Sequence, residues 1–97
     1  MLSSEEIVIE GKKFTGIKIE MPNATLLVIV SNEKKCFLAC GYFSREACEK
    51  FGDVCAIVTG VKSFQEMLAK EVVWVSSRAK EKGAREKMKG KEFLSLF

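Results

Sequence analysis

One pattern occurs twice between Cys36 and Lys70, and it constrains the fold more than anything else in the chain: an apolar strand-like run reaches a glycine and is followed by a serine-opened helix. The first copy runs Cys36-Phe37-Leu38-Ala39-Cys40-Gly41-Tyr42-Phe43, then Ser44 and a helical stretch from Arg45 to Phe51. The second runs from Val54 through Thr59 to Gly60-Val61-Lys62, then Ser63 and a helical stretch from Phe64 to Ala69. The connection from Phe43 to Asp53 has about the dozen residues that a parallel crossover needs. If the two strands run parallel, both helices start at the same edge of one sheet.

The flanking segments supply the rest of that sheet. Ile7-Val8-Ile9 is a short apolar run, and Gly11-Lys12-Lys13 reads as a turn. Ile17, Ile19 and Met21 alternate with Lys18 and Glu20, marking a strand with one wet face. Pro22-Asn23 breaks it, and Ala24 to Val30 lacks alternation, as a strand covered on both faces does. A polar stretch from Ser31 to Lys35 suits a hairpin loop into the Cys36 strand.

After the first helix, with Ala47, Cys48 and Phe51 near one face, Gly52 stands where a left-handed cap belongs. Ser63-Phe64-Gln65-Glu66 is a capping box, and Phe64, Met67 and Leu68 have the spacing of a buried stripe. Glu71 to Val75 reads as a sixth strand, and Ser76 or Ser77 as the cap of a helix ending at Gly83. Phe93, Leu94 and Phe97 define a last short helix packed on the body. The expectation is one α+β domain over residues 1–97. Its mixed sheet has about five or six strands, beginning as an antiparallel meander, with three or four short helices.

Ninety-seven residues, 47% hydrophobic and 30% charged, are enough for one core without disulfides or metal. Apolar runs such as Leu26 to Val30 fall far short of the roughly 18 residues of a membrane helix. The opening Met1-Leu2-Ser3-Ser4-Glu5-Glu6 is unlike a secretory leader, so the chain reads as cytoplasmic. Few amides and many Lys and Glu point to a thermophilic source, against which four cysteines argue mildly.

Residues from Pro22 to the C-terminus resemble the YunC-like family of small domains of unknown function. The likeness is carried by Pro22 before an apolar strand, Cys40-Gly41-Tyr42, Gly52-Asp53, and Gly60-Val61-Lys62-Ser63. The segment Val72 to Ala79, Gly83, and Met88-Lys89-Gly90-Lys91-Glu92 carry it further, while Lys87 stands where the family more often has glycine. The resemblance implies a compact α+β domain that self-associates, and it brings no assigned activity, cofactor or catalytic residue.

The candidate sites follow from the residues. Cys36, Cys40, Cys48 and Cys55 lack zinc-site spacing, and histidine is absent, so no metal site is expected. Cys36 and Cys40 on one strand lie about 13 Å apart, too far for a disulfide. Buried thiols are the favoured reading. Cys40, one residue before Gly41, is the sharper alternative: a reactive thiol activated by Lys62 or by the amides near Ser44. At the two junctions, Gly41 and Gly60 admit close backbone approach, while Tyr42, Ser44, Lys62 and Ser63 surround the same edge. A small anionic ligand would fit there, although such turns also occur without any ligand.

Residues 1–70 balance nine basic and nine acidic side chains, so the net +3 sits in residues 71–97. No aromatic residue interleaves Arg78 to Lys91 and Glu81 and Glu86 interrupt it, so a solvated face is favoured over a nucleic-acid surface. Trp74, Phe93, Leu94, Leu96 and Phe97 are either core or subunit contact, and a homo-oligomer is expected. The leading reading is thus a self-associating module that binds a small anion. The alternative is an enzyme using Cys40.

Overall fold

Glu10 and Gly11 both take positive φ, 51° and 80°, as a two-residue hairpin turn of matching twist requires. They fold β1 (Leu2–Ile9) back on β2 (Lys12–Glu20), pairing Ile9 with Lys12 and Leu2 with Ile19. The Pro22-Asn23 turn leads into β3 (Thr25–Ser31), and a loop with Lys34 at φ 61° leads into β4 (Phe37–Ala39). The computed structural model describes residues 1–97, and this four-stranded antiparallel meander is its first half.

At Gly41 the chain leaves the sheet. Ser44 Oγ accepts the Ala47 N–H at 3.1 Å and opens α1 (Arg45–Phe51), which Gly52 closes at φ 69°. The chain returns as β5 (Cys55–Ile57), parallel to β4, with Phe37 opposite Cys55 and Ala39 opposite Ile57. Helix α2 (Phe64–Ala69) is opened by half of the predicted capping box: Ser63 Oγ accepts from Glu66 N at 3.1 Å, while Glu66 Oε1 reaches past the cap residue to accept from Lys62 N at 2.9 Å. Strand β6 (Trp74–Val75) pairs antiparallel with β5 and is shorter than the expected Glu71 to Val75. Glu71 pairs instead with Lys89, because Val72 exchanges backbone hydrogen bonds with Lys87 and Met88. Helices α3 (Ser77–Glu81) and α4 (Gly90–Ser95) complete the chain. The sheet order is β1-β2-β3-β4-β5-β6, so each strand lies beside its predecessor.

Ser76, fully buried, locks the start of α3 to the sheet. Its hydroxyl accepts from Cys55 N at 3.1 Å and Ala79 N at 3.2 Å and donates to Asp53 O at 2.7 Å. Lys87 holds φ 77°, a left-handed conformation that suits glycine better than lysine. The glycine preference read from the family likeness therefore coincides with a tight backbone at this position.

The two faces of the sheet differ. Phe14, Leu27, Ile29, Leu38, Ala56 and Val75 point to one face, where Phe64 and Met67 of α2, Phe93 and Leu94 of α4 and Ala79 of α3 cover them. Phe93 and Leu94 are fully buried, which makes the C-terminal cluster core; Leu96 is exposed. On the other face α1 lies only at the β5–β6 end, with Cys48 against Cys55 and the Arg45 guanidinium 5.8 Å over the Trp74 ring. The remainder of that face carries no helix.

Two sequence expectations are corrected here. Ile17 and Ile19 were the dry side of β2 by alternation, yet they point to the open face, and Ile19 is 37% exposed. The core side of β2 is Phe14 and Gly16, where the absent side chain of Gly16 makes room for the Phe64 ring; a Cβ there would lie 2.8 Å from it. Phe51 does not share the buried side of α1 with Cys48 but is 75% exposed. Of the seven residues of α1 only Cys48 is buried, because the strands beneath it are two and three residues long.

Candidate functional site

The parallel alignment of β4 and β5 sends both exit turns to the same end of the sheet. Cys40 N donates to Leu27 O and Val58 N to Ala39 O, so the strands stay in register up to the glycines. A meander reverses at each turn, so the β2–β3 turn must reach that end as well. The three segments enclose a cleft of about 680 Å³. Its walls are Glu20, Met21 and Asn23 to Thr25 from the β2–β3 turn, Cys40 to Tyr42 after β4, and Thr59 to Lys62 after β5.

Four of the six residues named from the sequence line this cleft together: Gly41, Tyr42, Gly60 and Lys62. Ser44 and Ser63 lie outside it, and their hydroxyls are engaged as helix caps. At the start of α2 the Glu66 N–H donates to Ser63 Oγ and the Lys62 N–H to Glu66 Oε1. Among the remaining wall residues, the Pro22-Asn23 break was visible in the sequence. Counting strand reversals in the meander would have placed it beside Gly41; neither Glu20 nor Thr25 carries a local signal.

The two glycines differ in kind. Gly60 has φ 68°, and a Cβ there would meet Lys70 Nζ at 2.8 Å, the same amine that reaches Gly60 O at 3.5 Å. Gly41 has an ordinary backbone, and a Cβ there would touch the Thr59 methyl at 3.4 Å, so packing within the chain does not demand glycine at this position. Lys62 and Glu20, exposed at opposite walls, have no ion-pair partner. Hydroxyls of Thr25 and Thr59, the Asn23 amide and the Tyr42 ring complete the lining. Such a cleft can hold a small molecule with one anionic group against Lys62 and an apolar or aromatic part against Met21 and Tyr42. Two other hollows of similar volume lie elsewhere, one bounded by Lys34, Lys35 and Lys82, the other by Lys70, Glu71 and Lys87. Neither sits at strand C-termini, where α/β sheets collect ligands.

All four cysteines are free and buried. Cys40 Sγ accepts the Leu27 N–H at 3.4 Å. Burial pushes the Cys36 thiol up to about 11 despite the nearby Lys12 ammonium. Burial, with the Cys48 thiol beside it, raises Cys55 as well. At the other end of α1, hydrogen bonds from the Ser77 hydroxyl and N–H hold the Glu49 carboxyl below its ordinary range.

The raised thiols predict an alkaline instability. Below pH about 9 the Cys36 thiol is protonated whether the chain is folded or unfolded, and nothing is lost. From there to pH about 11 the unfolded chain releases the proton while the folded chain keeps it. Stability then falls with rising pH by about 1.4 kcal/mol per pH unit for this group. Urea titrations should show the decline, and Cys36→Ala should reduce it by the share of this group, leaving that of Cys55.

The fold and its cleft define a small α+β sheet domain with a ligand-sized hollow at the C-terminal ends of its one parallel strand pair. The chain belongs to the family described as a domain of unknown function, DUF1805, which matches residues 39–97. It is similar to a protein of unknown function from Thermoplasma acidophilum, TA1206, at 32% identity and a TM-score of 0.92. That likeness covers 98% of this chain and 91% of the other. No curated protein matches it. No helix is long and apolar enough to cross a membrane.

Proposed function

We propose that this domain binds a small anionic ligand in the cleft between Gly41 and Gly60. The observation that carries the reading is the convergence of Gly41, Tyr42, Gly60 and Lys62 on one hollow at the exit of two parallel strands. One unpaired lysine facing one unpaired carboxylate favours a ligand with a single acidic group over a polyphosphate. The acid sits against Lys62, the backbone of the glycine turns lies along the ligand, and Tyr42 covers its less polar part. The YunC-like reading of the sequence belongs with this proposal, and membership of DUF1805 supports it.

The test is a thermal-shift panel of small carboxylic acids, inorganic phosphate and nucleoside monophosphates. A ligand at about ten times its Kd adds about 1.4 kcal/mol, which for a domain of this size raises Tm by about 5–10 °C. Lys62→Glu should remove the rise while leaving the unliganded Tm unchanged, since no hydrogen bond uses the Lys62 amine. Silence across the whole panel would end the proposal, and so would an undiminished response in Lys62→Glu.

A second reading treats Cys40 as a reactive thiol, favoured by its place in the cleft wall and the N–H donated to its sulfur. It requires iodoacetamide to label Cys40 faster than Cys36 or Cys55 at neutral pH, with the fast phase lost in Cys40→Ser.

A further inference from the structure

Glu20 is the single acidic residue in the wall of the cleft, and Lys62 is the single basic one. The sheet fixes where they stand. Strand β2 pairs with β3 without interruption from Phe14 to Glu20, so Glu20 projects from the same side as Phe14 and Gly16, the side that α2 covers. Lys62 leads into Ser63 and Phe64, and Phe64 packs on that same side.

Glu20 lies opposite Thr25, and the exits of β4 and β5 follow in order. The Gly60 turn therefore stands three strands away from Glu20, about 14 Å at the ordinary strand spacing. Two long side chains narrow that interval without closing it, since neither Glu20 nor Lys62 takes part in an ion pair. Lys18, two residues back on the same side of β2, makes none with Glu20 either. The Met1 ammonium meets the Glu20 carbonyl, at 3.3 Å, rather than its carboxylate.

We propose that the cleft selects a zwitterion, with an ammonium group directed to Glu20, a carboxylate directed to Lys62 and an apolar body against Met21 and Tyr42. That is the chemistry of an apolar amino acid or a short peptide. The inference rests on the anion reading of the same cleft and adds its cationic half. A plain acid held at Lys62 brings its charge towards Glu20, which repels it. An ammonium group on the same molecule turns that repulsion into attraction. A zwitterion that covers the cleft also leaves neither side chain shielded from water without a partner. Thr25, Thr59 and Asn23 supply neutral donors and acceptors along the wall, and about 680 Å³ is the volume of a small-molecule site.

Isothermal titration calorimetry of the full chain with matched pairs tests the proposal. Phenylalanine is compared with 3-phenylpropanoate, and alanyl-phenylalanine with N-propanoyl-phenylalanine; each pair differs by the amino group alone. The first pair represents the amino acid and the second the peptide, whose charges are one residue further apart. In at least one pair the aminated member should bind roughly fivefold more tightly, as a charge-assisted hydrogen bond provides. Glu20→Gln should abolish that difference, with the plain acid binding as well as before or better. Should this variant fail to fold, the comparison within each pair in the parent protein decides alone. Plain acids that bind as tightly as their aminated partners would overturn the zwitterion and leave the anion reading standing. An amine preference that survives in Glu20→Gln would do the same, and so would silence from all four compounds when another acid raises Tm. Failure of every acid, with or without an amine, would remove the anion reading and this inference with it.

Discussion

Replacing Gly90 with alanine is expected to lower Tm by more than 15 °C, the largest effect of any single substitution anticipated for this chain. Gly90 is the first residue of α4 and is buried where α4 crosses the end of α2. A Cβ at this position would lie 2.1 Å from the carbonyl oxygen of Met67 and 2.8 Å from Leu38 Cδ2. The first neighbour is backbone inside a capped helix and cannot rotate aside. Gly90 N also donates to Lys70 O at 2.9 Å, so the close approach is held from both sides. Relief requires α4 to move away from α2, uncovering Phe93 and Leu94, both fully buried. Separating two such side chains from the core costs about 3 kcal/mol or more, and each kcal/mol shifts Tm by about 4–8 °C at this length. Thermal melts by circular dichroism measure it directly. A Gly90→Ala protein with the parent Tm would mean that α4 is not seated as described.

Ser76→Ala should destabilise the domain by about 2–4 kcal/mol, read from urea midpoints at constant m. The change deletes one oxygen but strands three groups: the Cys55 N–H, the Ala79 N–H and the Asp53 carbonyl. The position is fully buried, so water cannot readily replace the hydroxyl. Each orphaned group costs about 1–3 kcal/mol, and relaxation recovers part of the sum. Ser76→Thr keeps the oxygen and should recover part of the loss. Because this hydroxyl joins α3 to the start of β5, the loss should fall on the parallel half of the sheet. Hydrogen exchange at Cys55 to Ile57 is expected to accelerate more than at Leu27 to Ile29.

Helices α1 and α2 were legible to the residue because their ends are written in side chains: Ser44, Gly52, and the Ser63–Glu66 box. The parallel β4–β5 pair was legible as a possibility, from the length of the connection between them. The true extent of β1 was not. Ser3 to Glu6 form an edge strand by backbone pairing alone, and their side chains show no apolar period.

Which face of β2 is dry was misread because the decisive residue, Gly16, has no side chain to count. Its role is defined by Phe64, 48 positions away in the sequence. The cleft was half legible: the glycine turns were visible, whereas Glu20 to Thr25 join them only through the strand reversals of the meander. Ser44 and Ser63 were marked by the same signal as the glycines, yet their hydroxyls close the helices they begin.

The strictly consecutive order of the strands has a kinetic meaning. No segment must wait for a distant one before it can pair, so the sheet can lengthen strand by strand as the polypeptide emerges during synthesis. The pauses fall between β4 and β5 and between β5 and β6, where α1 and α2 must form before the chain can resume alongside its predecessor.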